Sequence, residues 1–521
     1  MTTMLSTSGA RRLLGRLRWI HAAPLLAVLT LTAWAFASPV GAAPDDDYHL
    51  TSVWCAVGGS DACAPGTQSN TRTVSTAFDA ATCYAQVSTR SAVCQDAAGL
   101  ALDGPTQETN RGNFERKYPG VYYAAMRTFA GDDLVHSALV MRLVNLSLFV
   151  GLATALAVLL PASRRQTLLW GWLVSMVPLG LFLIPSNNPS GWAVTGVGTA
   201  FLALLGWYEG TGKRRWALGA LYVVGIVMAA GARDDAAIYA AGATIVASLL
   251  TASRHREWML RTILPLAGLV VIALLFASVT QTDVGVQGFS GAQSVAVPGL
   301  GGSMAEPEGG FALAAYNLLM LPYLWTGVWG TWALGWFDTV LPSIVPWSAG
   351  AAFVAVAFAG LGLLSRRKAA AIVGVLLVLV VLPVYLLTAG GDSVGSQLQP
   401  RYLLPPIVLF SLLLATAPHG SRTVRFTGFQ TFTILGAIAL ANLVALQVNI
   451  RRYISGSDKQ GFNLDSGATW WWYGAHVGPM AVWLIGSASF IGLLVVLWPE
   501  LRRKVTAPWP AGHERALTNS G

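Results

Sequence analysis

Residues 369–389 read AAAIVGVLLVLVVLPVYLLTA, an apolar run without a single charged side chain. A helix rises about 1.5 Å per residue, so a run of this length crosses the roughly 30 Å hydrocarbon core of a bilayer. Arg366, Arg367 and Lys368 stand directly before it, and such a basic flank is typical of the cytoplasmic end of a membrane helix. These two features predict a transmembrane helix that begins on the cytoplasmic side.

Similar apolar runs recur along almost the whole chain of 521 residues, which is 54% hydrophobic and only 11% charged. A soluble chain of this length needs more charge to cover its surface, so the composition excludes an ordinary soluble protein. We predict an all-α polytopic membrane protein with about 12 transmembrane helices. We place them near 19–42, 136–160, 167–184, 191–208, 216–231, 236–251, 262–280, 344–364, 369–389, 402–417, 427–447 and 476–498.

The net charge of +9 is distributed unevenly between the two sides of this predicted topology. With the N-terminus inside, every inner segment carries Lys or Arg, and most acidic residues fall on the outer side. This pattern predicts a multi-pass protein of the plasma membrane, with residues 1–18 and 499–521 in the cytoplasm. No basic stripe with interleaved aromatic residues lies outside those segments, so we expect no nucleic-acid partner.

The first apolar run has two interpretations. It ends in Val40-Gly41-Ala42-Ala43, small residues that are also typical of a signal-peptide cleavage site. We expect a retained helix, because cleavage would leave an odd number of spans and would remove the anchor of the loop that follows. The mature N-terminus would distinguish the two.

A polar loop at 43–135 contains all four cysteines, and we place it outside the cytoplasm. An even number of cysteines in one outer loop predicts two disulfides. Three pairings are possible, and proximity in sequence favours Cys55–Cys63 with Cys83–Cys94. A metal site would need tighter spacing, such as C-x-x-C, so structural bridges are the favoured interpretation.

The region 281–343 is predicted to be a second extracytoplasmic segment, between helices 2–7 (136–280) and helices 8–12 (344–498). It begins with a Gly- and Ser-rich loop at 281–310. In the rest, four tryptophans at helical spacing predict an interfacial or re-entrant segment: Trp325, Trp329, Trp332 and Trp336. Residues 448–475 form a third outer loop. No Gly-rich phosphate loop is present, which argues against a nucleotide-driven mechanism.

The strongest candidate for chemistry follows the first helix directly: Asp45, Asp46 and Asp47, with His49 shortly after. Adjacent carboxylates repel one another, which raises the pKa of some of them unless a cation lies among them. Such a cluster suits a general base or the ligands of a divalent ion such as Mg, Mn or Ca. The alternative is an ordinary solvated acidic turn.

Three further groups of polar residues stand near predicted helix ends on the outer side. Lys117 and Arg401 are candidates for phosphate binding, with interfacial anchoring as the alternative, because a buried arginine is costly without an anionic partner. Arg233 is a further candidate at the membrane boundary, and a turn neutralised by its two acids is the alternative. The groups are Lys117 with Tyr122 and Tyr123; Arg233 with Asp234 and Asp235; and Arg401 with Gln399.

Four stretches occur together in an order that resembles domain-of-unknown-function family 2142, which comprises predicted membrane proteins usually grouped with the C-type glycosyltransferases (GT-C fold). They are APDDDYHL at 43–50, KYPGVYYA at 117–124, LGWFDTVLP at 334–342 and QPRYLLP at 399–405. The family usually has Pro-Asp-Glu followed by His. Here Asp46 stands in the Glu position and His49 matches, while Gly120 departs from the commoner bulky residue.

The resemblance implies a membrane glycosyltransferase that moves a sugar from a polyprenyl-phosphate donor to a glycan or other cell-envelope acceptor, on the outer face and with inversion. It implies a catalytic base in the first outer loop, near a possible divalent ion, and it leaves open which of Asp45, Asp46 and Asp47 acts. Lys117 and Arg401 would hold the donor phosphate. The remaining candidates for substrate contact are Tyr122, Tyr123, Arg233, Asp234, Asp235, Asp338 and Gln399.

Two other functional classes remain open at this point. Twelve helices with both ends inside is also a transporter layout, and a lipid-handling protein has the same composition. Against a carrier, the candidate charges gather at one interface and the first outer loop is unusually long. A non-catalytic scaffold for envelope assembly is the third alternative. The identity of the sugar, the acceptor and the oligomeric state do not follow from the sequence.

Overall fold

The computed structural model describes residues 19–279, 309–396, 398–474 and 476–507. Residues 1–18, the loop expected at 281–310 and most of the predicted C-terminal tail therefore lie outside the described residues, apart from the last two residues of that loop and the start of the tail.

Long α-helices make up most of the described chain. They are α1 Ala23–Phe36, α2 Asp46–Trp54, α3 Ala77–Ala80, α4 Val121–Arg127, α5 Leu134–Leu159, α6 Ala162–Met176, α7 Leu179–Leu183, α8 Ser190–Glu209, α9 Gly212–Ala232, α10 Asp234–Thr251, α11 Arg256–Arg261, α12 Ile263–Ala277, α13 Gly310–Thr326, α14 Ile344–Leu361, α15 Arg366–Gly390, α16 Pro400–Ala415, α17 Gly428–Ser455 and α18 Pro479–Leu501. Short 3-10 turns occur at Trp19–Ala22, Ala92–Cys94, Asn113–Glu115 and Gly327–Trp329.

Within the described residues, nine helical stretches are long and apolar enough to cross a membrane. They are α5, α8, α9, Arg256–Ala277, Gly310–Trp329, α14, α15, α17 and α18. The chain is therefore a polytopic membrane protein, as predicted, although nine rather than twelve stretches of the described residues have the length and apolar composition of a span. Four predicted spans are not among the nine, because α1 and α16 are shorter apolar helices, α10 is not among the membrane-length stretches, and the span expected at 167–184 divides into α6 and α7. One stretch, Gly310–Trp329, is long and apolar enough although it was not predicted as a span.

The helix α8 lies at the centre of the bundle, where its membrane-spanning stretch is buried along its whole length. It packs against α9, α10 and α16. An apolar helix buried on every side requires neighbours all round, and small residues let them approach closely. Gly196 is such a position, because a Cβ there would lie 2.5 Å from the carbonyl oxygen of Gly225.

The two ends of the bundle differ in their chemistry. At one end, which we call the loop end, the segment between α1 and α5 folds over the helices. At the opposite end, Arg164 forms a buried ion pair with Glu209 at 2.6 Å, and Arg165 pairs with Glu500 at 2.9 Å. There the ammonium of Lys368 donates to the carbonyl of Leu414 at 2.7 Å. These three basic residues are among those predicted to face the cytoplasm.

The segment between α1 and α5 contains a three-stranded antiparallel sheet in the order β1-β2-β3. Its strands are β1 Cys63–Pro65, β2 Arg72–Ser75 and β3 Thr106–Thr109, with Cys63 opposite Val74 and Arg72 opposite Thr109. Two disulfides are present in this segment: Cys55–Cys63 ties β1 to the end of α2, and Cys83–Cys94 joins the chain after α3 to the 3-10 turn Ala92–Cys94. The predicted pairing is confirmed.

The tryptophan-rich segment enters and leaves the bundle at the loop end. In α13, Asn317 contacts the backbone of Asp392 and Val394, just after the loop-end terminus of α15. Farther along, the Trp336 indole donates to the carbonyl of Gly41 at 2.8 Å. Contacts at the same end on both flanks describe a re-entrant path, even though Gly310–Trp329 has the length of a span.

The tryptophans of this segment differ from the expectation in their burial and in their position relative to the helix. Trp329 and Trp332 are buried instead of facing an interface, and the Trp329 indole donates to the carbonyl of Val174 at 2.8 Å. The predicted single helical face is wrong, because Trp325 lies in α13 and Trp329 in the following 3-10 turn, whereas Trp332 and Trp336 come after the helix has ended.

Candidate functional site

The acidic cluster lies at the loop end, where the chain leaves α1 and turns into α2. Asp45 is the residue before α2 and has left-handed backbone geometry, with φ at 61°. Aspartate adopts this region more readily than most residues, yet the conformation still costs on the order of 1 kcal/mol or more. The turn sends the neighbouring carboxylates to different surroundings, which distinguishes three residues that look equivalent in sequence.

Asp45 lies between two arginines. One carboxylate oxygen accepts from Arg111 Nη2 at 2.9 Å, and the other accepts from Arg401 Nη2. Burial opposes ionisation of the carboxyl, but the charges of Arg401 and Arg111 outweigh burial and hold the pKa of Asp45 below its ordinary value. The described structure therefore contains an ionised Asp45 bridging two cations.

Asp47 shares one of these cations. Its carboxylate receives two hydrogen bonds from Arg111, from Nε at 2.5 Å and from Nη2 at 3.0 Å. The Arg111 side chain is 37% exposed and the Asp47 side chain only 14%. This fork geometry is the preferred contact of a guanidinium with a carboxylate or a phosphate.

Asp46 points to the interior instead. It is 0% exposed, and one oxygen accepts from the Ala43 amide at 3.1 Å. The other oxygen has no hydrogen-bond partner among the described residues. Burial raises the pKa of Asp46 to about 7, although the nearby Arg142 opposes the shift. A buried carboxyl that titrates near neutrality is a mark of functional sites as well as of structural ones.

His49 lies one turn into α2, within a group of tyrosine rings. Its Nδ1 is 2.9 Å from the hydroxyl of Tyr123, and its ring contacts Tyr118 edge-on with centroids 5.5 Å apart. Its Nε2 is buried without a partner among the described residues. Burial lowers the pKa of His49 well below its ordinary value, so the ring is neutral at pH 7.

Arg401 is positioned by the start of α16, where Pro400 occupies the first turn. The side chain is 3% exposed. Its Nη1 donates to the carbonyl of Pro44 at 2.9 Å, and that carbonyl also accepts from Asn188 at 2.8 Å. Arg401 is therefore bonded to both the backbone and the carboxylate of the Pro44-Asp45 turn.

A small cavity of about 20 Å³ opens beside Arg401. Among its lining residues, three carry buried polar atoms without a partner in the described chain: Arg401 Nε, Gln399 Oε1 and Trp332 Nε1. A space of this size holds a water molecule. The lining is mostly apolar, and the three unpaired atoms of its residues are the available partners for a small polar group there.

Arg233 is the third buried cation in this region. It forms a two-pronged ion pair with Asp235, at 2.8 and 3.1 Å, and its guanidinium stacks 4.4 Å from the centre of the Tyr402 ring. The neighbouring Arg401 stands 5.0 Å from the same ring. Asp234 lies beside the pair in the first turn of α10. Arg233 and Arg401 therefore contact the same Tyr402 ring, which connects Arg233 to the Asp45 cluster.

Other predicted site residues lie apart from the acids. Lys117 is half exposed and pairs with Glu115 at 3.3 Å, while Tyr122 packs edge-on against Trp192. Asp338 forms a separate buried ion pair with Arg452 at 2.7 Å. Burial raises the pKa of Asp338, although Arg452 opposes the shift.

Two residues of the cluster escaped the sequence analysis. Arg111 joins Asp45 to Asp47, but one arginine in a polar loop of ninety residues carries no signal of its own. Tyr402 lies within the QPRYLLP stretch and was not singled out. Its position directly after Arg401 was the available signal, because arginine often stacks on an adjacent aromatic ring.

The acids do not form a metal site in the described structure. Asp45 and Asp47 engage Arg111, while Asp46 turns inward. A divalent ion such as Mg or Ca requires several oxygens converging on one point. Across the described ranges, no group of three His, Cys, Asp or Glu side chains is close enough to hold a metal ion. The donor set does not fit the possible ion.

A family model for predicted membrane proteins, DUF2142, matches residues 28–410. The chain belongs to this family. The match covers the acidic turn, Arg111, Lys117, Arg233, Asp338 and Arg401, so the whole Asp45 cluster is part of the DUF2142 region. No curated protein matches the chain. The family resemblance expected from the four motifs is confirmed, and DUF2142 describes membrane proteins without a stated activity.

Proposed function

We propose that this DUF2142 protein is a glycosyltransferase that takes a sugar from a polyprenyl-phosphate donor and passes it to a hydroxyl of a cell-envelope acceptor at the loop end. The observation that carries the proposal is the ionised Asp45 held between Arg401 and Arg111. A base and two phosphate-binding cations in one contact network are the minimum apparatus for displacing a phosphate at an anomeric carbon.

The arginines supply the phosphate-binding part. A phosphate offers the same planar pair of oxygen acceptors as a carboxylate, and guanidinium binds both in the same fork. The donor phosphate takes the place of the Asp45 carboxylate on Arg401 and Arg111. Because a polyprenyl phosphate is its own leaving group, the reaction requires no nucleotide site.

Asp45 supplies the base. When the phosphate takes Arg401 and Arg111, Asp45 loses the two cations that lower its pKa, so its affinity for a proton rises. The acceptor oxygen then bonds to the anomeric carbon as its proton moves to Asp45. The bond from that carbon to the phosphate oxygen breaks, and its electron pair leaves with the polyprenyl phosphate. Attack from the face opposite the leaving group inverts the anomeric centre.

The neighbouring residues position this pair. Asp46, in the position of the family's Glu, bonds the Ala43 amide and so shapes the turn that presents Asp45. The neutral His49 fixes Tyr123. Arg233 and its partner Asp235 hold Tyr402 against Arg401. Lys117 and Gln399 remain candidates for contact with the donor, from the exposed surface and the small cavity respectively.

The test is sugar transfer by the purified protein in nanodiscs, with a panel of radiolabelled polyprenyl-phosphate mannose, glucose and pentose donors and a cell-envelope glycan extract. The wild type should form labelled glycan, and Asp45→Asn should lose at least about a hundredfold in rate. Asp458→Asn is the matched control, because Asp458 forms an exposed pair with Lys459 far along the sequence. Transport of the intact donor without product would favour a carrier, and equal rates for Asp45→Asn and wild type would exclude the proposed base.

A further inference from the structure

A second site lies at the loop end, distinct from the acidic cluster. It is a cleft of about 1440 Å³ between the disulfide-bonded loop and residues 469–474. Asp45, Asp46, Asp47 and Arg401 do not line it. We call it the tryptophan cleft, after Trp54, Trp470, Trp471 and Trp472 on its walls.

The aromatic walls are fixed in place before any ligand arrives. The Trp472 indole donates to the carbonyl of Phe36 at 2.8 Å, the Trp471 indole to that of Val477 at 2.7 Å, and the Trp54 indole to that of Gly131 at 3.2 Å. The rings of Trp470 and Trp472 pack with centroids 5.3 Å apart. Preorganised rings avoid the entropy cost of ordering side chains upon binding.

The polar lining is strongly acidic. Asp61, Asp103 and Asp132 line the cleft and make no side-chain ion pair within the described part of the chain. Asp96 and Asp133 are also present, and Arg127 is the basic residue among the lining. Ionised carboxylates accept hydrogen bonds from hydroxyl groups, whereas their surplus charge repels phosphate and other anions. The donor phosphate is therefore an unsuitable occupant.

Trp54, Trp470 and Trp472 are buried and form the base of the aromatic wall, while Trp471 and Tyr473 remain accessible. The combination of these accessible rings and carboxylates fits a sugar chain. A sugar ring has an apolar face of C–H groups that packs on an aromatic ring, and its hydroxyls are donors for carboxylates. The lining of the cleft also includes Leu134 and Leu139 of α5, so the cleft borders one of the membrane-length helices. We propose that the tryptophan cleft binds a neutral saccharide chain, which is the acceptor glycan if the proposed transfer is correct.

The helix α2 links the cleft to the proposed base. Trp54 is its last residue and Asp46 its first, so eight helical steps separate the two by about 12 Å along the axis. A glycan anchored in the cleft has its end within a few sugar units of Asp45. This geometry gives binding energy from remote contacts to orient the reacting hydroxyl.

The binding test uses the full-length protein in nanodiscs, with tryptophan fluorescence and calorimetry. The probes are maltohexaose and mannohexaose as neutral chains, a chitosan hexamer as a cation and a galacturonate hexamer as an anion. We expect at least one neutral probe to bind and the galacturonate hexamer not to bind. Binding of chitosan alone would replace the proposal with a site for cationic chains. Absence of binding by all four probes would overturn it.

Two variants test whether the neutral probes bind in the tryptophan cleft. Trp471→Ala and Tyr473→Ala should weaken neutral binding about tenfold or more, and Tyr473 is fully exposed, so its loss does not disturb folding. Trp347→Ala is the matched control, because Trp347 is an exposed tryptophan on α14 that does not line the cleft. Unchanged affinity in both cleft variants would overturn the proposal. Asp45→Asn should bind as wild type does; if neutral probes bind but no transfer is found, the cleft stands and the proposed reaction fails.

Discussion

The Arg401 guanidinium and the Asp45 carboxylate form a buried ion pair across 356 residues of sequence. Asp45 follows the first apolar helix, and Arg401 opens α16. A charge buried without a partner is strongly unfavourable, so the burial of each residue depends on the opposite charge of the other. The pair therefore joins two distant segments of the bundle at the loop end and, in the proposed reaction, couples phosphate binding to the release of the base.

Loss of Arg401 should destabilise the protein. Arg401→Met leaves Asp45 with Arg111 as its remaining cation, and breaking a buried pair typically costs about 3–5 kcal/mol. Asp45→Asn in the Arg401→Met background should recover part of that loss, because it removes the buried carboxylate that has lost one of its two cations. Thermal unfolding midpoints of Arg401→Met, Asp45→Asn and the double variant in detergent measure the coupling. Lys459→Met, which breaks an exposed pair at 3.5 Å, should change stability by less than about 1 kcal/mol; strictly additive losses would show that Arg401 and Asp45 act independently.

The three aspartates should respond differently to the same substitution. Asp45→Asn removes the proposed base and should lower the transfer rate about 10²–10⁴-fold. Asp46→Asn can still accept from the Ala43 amide, so its loss should be smaller and should lie mainly in folding. Asp47→Asn frees Arg111, so it should alter donor affinity more than the rate. Initial rates over a range of donor concentration separate these effects, and a greater rate loss in Asp46→Asn than in Asp45→Asn would transfer the base to Asp46.

The sequence was informative about the membrane class and about the motifs, for specific physical reasons. Apolar runs and basic flanks such as Arg366-Arg367-Lys368 encode spans locally, and four cysteines in one loop restrict the pairings to three. The predicted bridges Cys55–Cys63 and Cys83–Cys94 are present. Asp45 and Arg401 belong to two separate motifs, and the packing of the bundle brings them together as an ion pair.

What the sequence lacked was the direction of each side chain. Asp45, Asp46 and Asp47 are adjacent residues of the same type, so the sequence does not distinguish them. In the structure, the left-handed turn at Asp45 places their side chains in different environments. Arg111 carried no motif, since its role depends on a tertiary approach to α2. The tryptophan cleft was equally hidden, because its walls come from segments about four hundred residues apart, at Trp54 and Trp471.

The disulfide Cys83–Cys94 should support the packing of the loop on α17. Between these cysteines, the carbonyls of Tyr84, Val87 and Arg90 all accept from Arg452. Replacing both cysteines by serine loosens this segment in the unfolded state and should cost about 2–4 kcal/mol. Non-reducing mass spectrometry should show both bridges in the native protein, and thermal unfolding with and without reductant measures their effect. Four free thiols in the native protein would contradict the expected extracytoplasmic side of the loop.

The topology follows from the separation of charge between the two ends of the bundle. Single cysteines introduced at Gly104 and Arg367, with both native disulfides kept, should label from outside at Gly104, in the disulfide-bonded loop, and from the cytoplasm at Arg367. Arg367 lies at the opposite end, where it donates to the carbonyl of Ala252. Labelling by a membrane-impermeant maleimide is compared between intact and permeabilised cells, which shows the side of the membrane that each cysteine faces. Labelling at Gly104 that required permeabilisation would move the proposed site to the cytoplasm and exclude an envelope acceptor.

Stability should depend on pH through Asp46. Its pKa rises from 3.8 to about 7 on folding because the carboxyl is buried, so the folded state holds a proton that the unfolded state releases above pH 4. Stability should therefore fall as pH rises from about 4 to about 7 and change little beyond. Asp45 acts in the opposite sense: its lowered pKa contributes stability above its unfolded pKa, which is lost in stronger acid. Thermal midpoints from pH 4 to 8 should decline less in Asp46→Asn than in wild type; parallel curves would mean that Asp46 does not retain its proton.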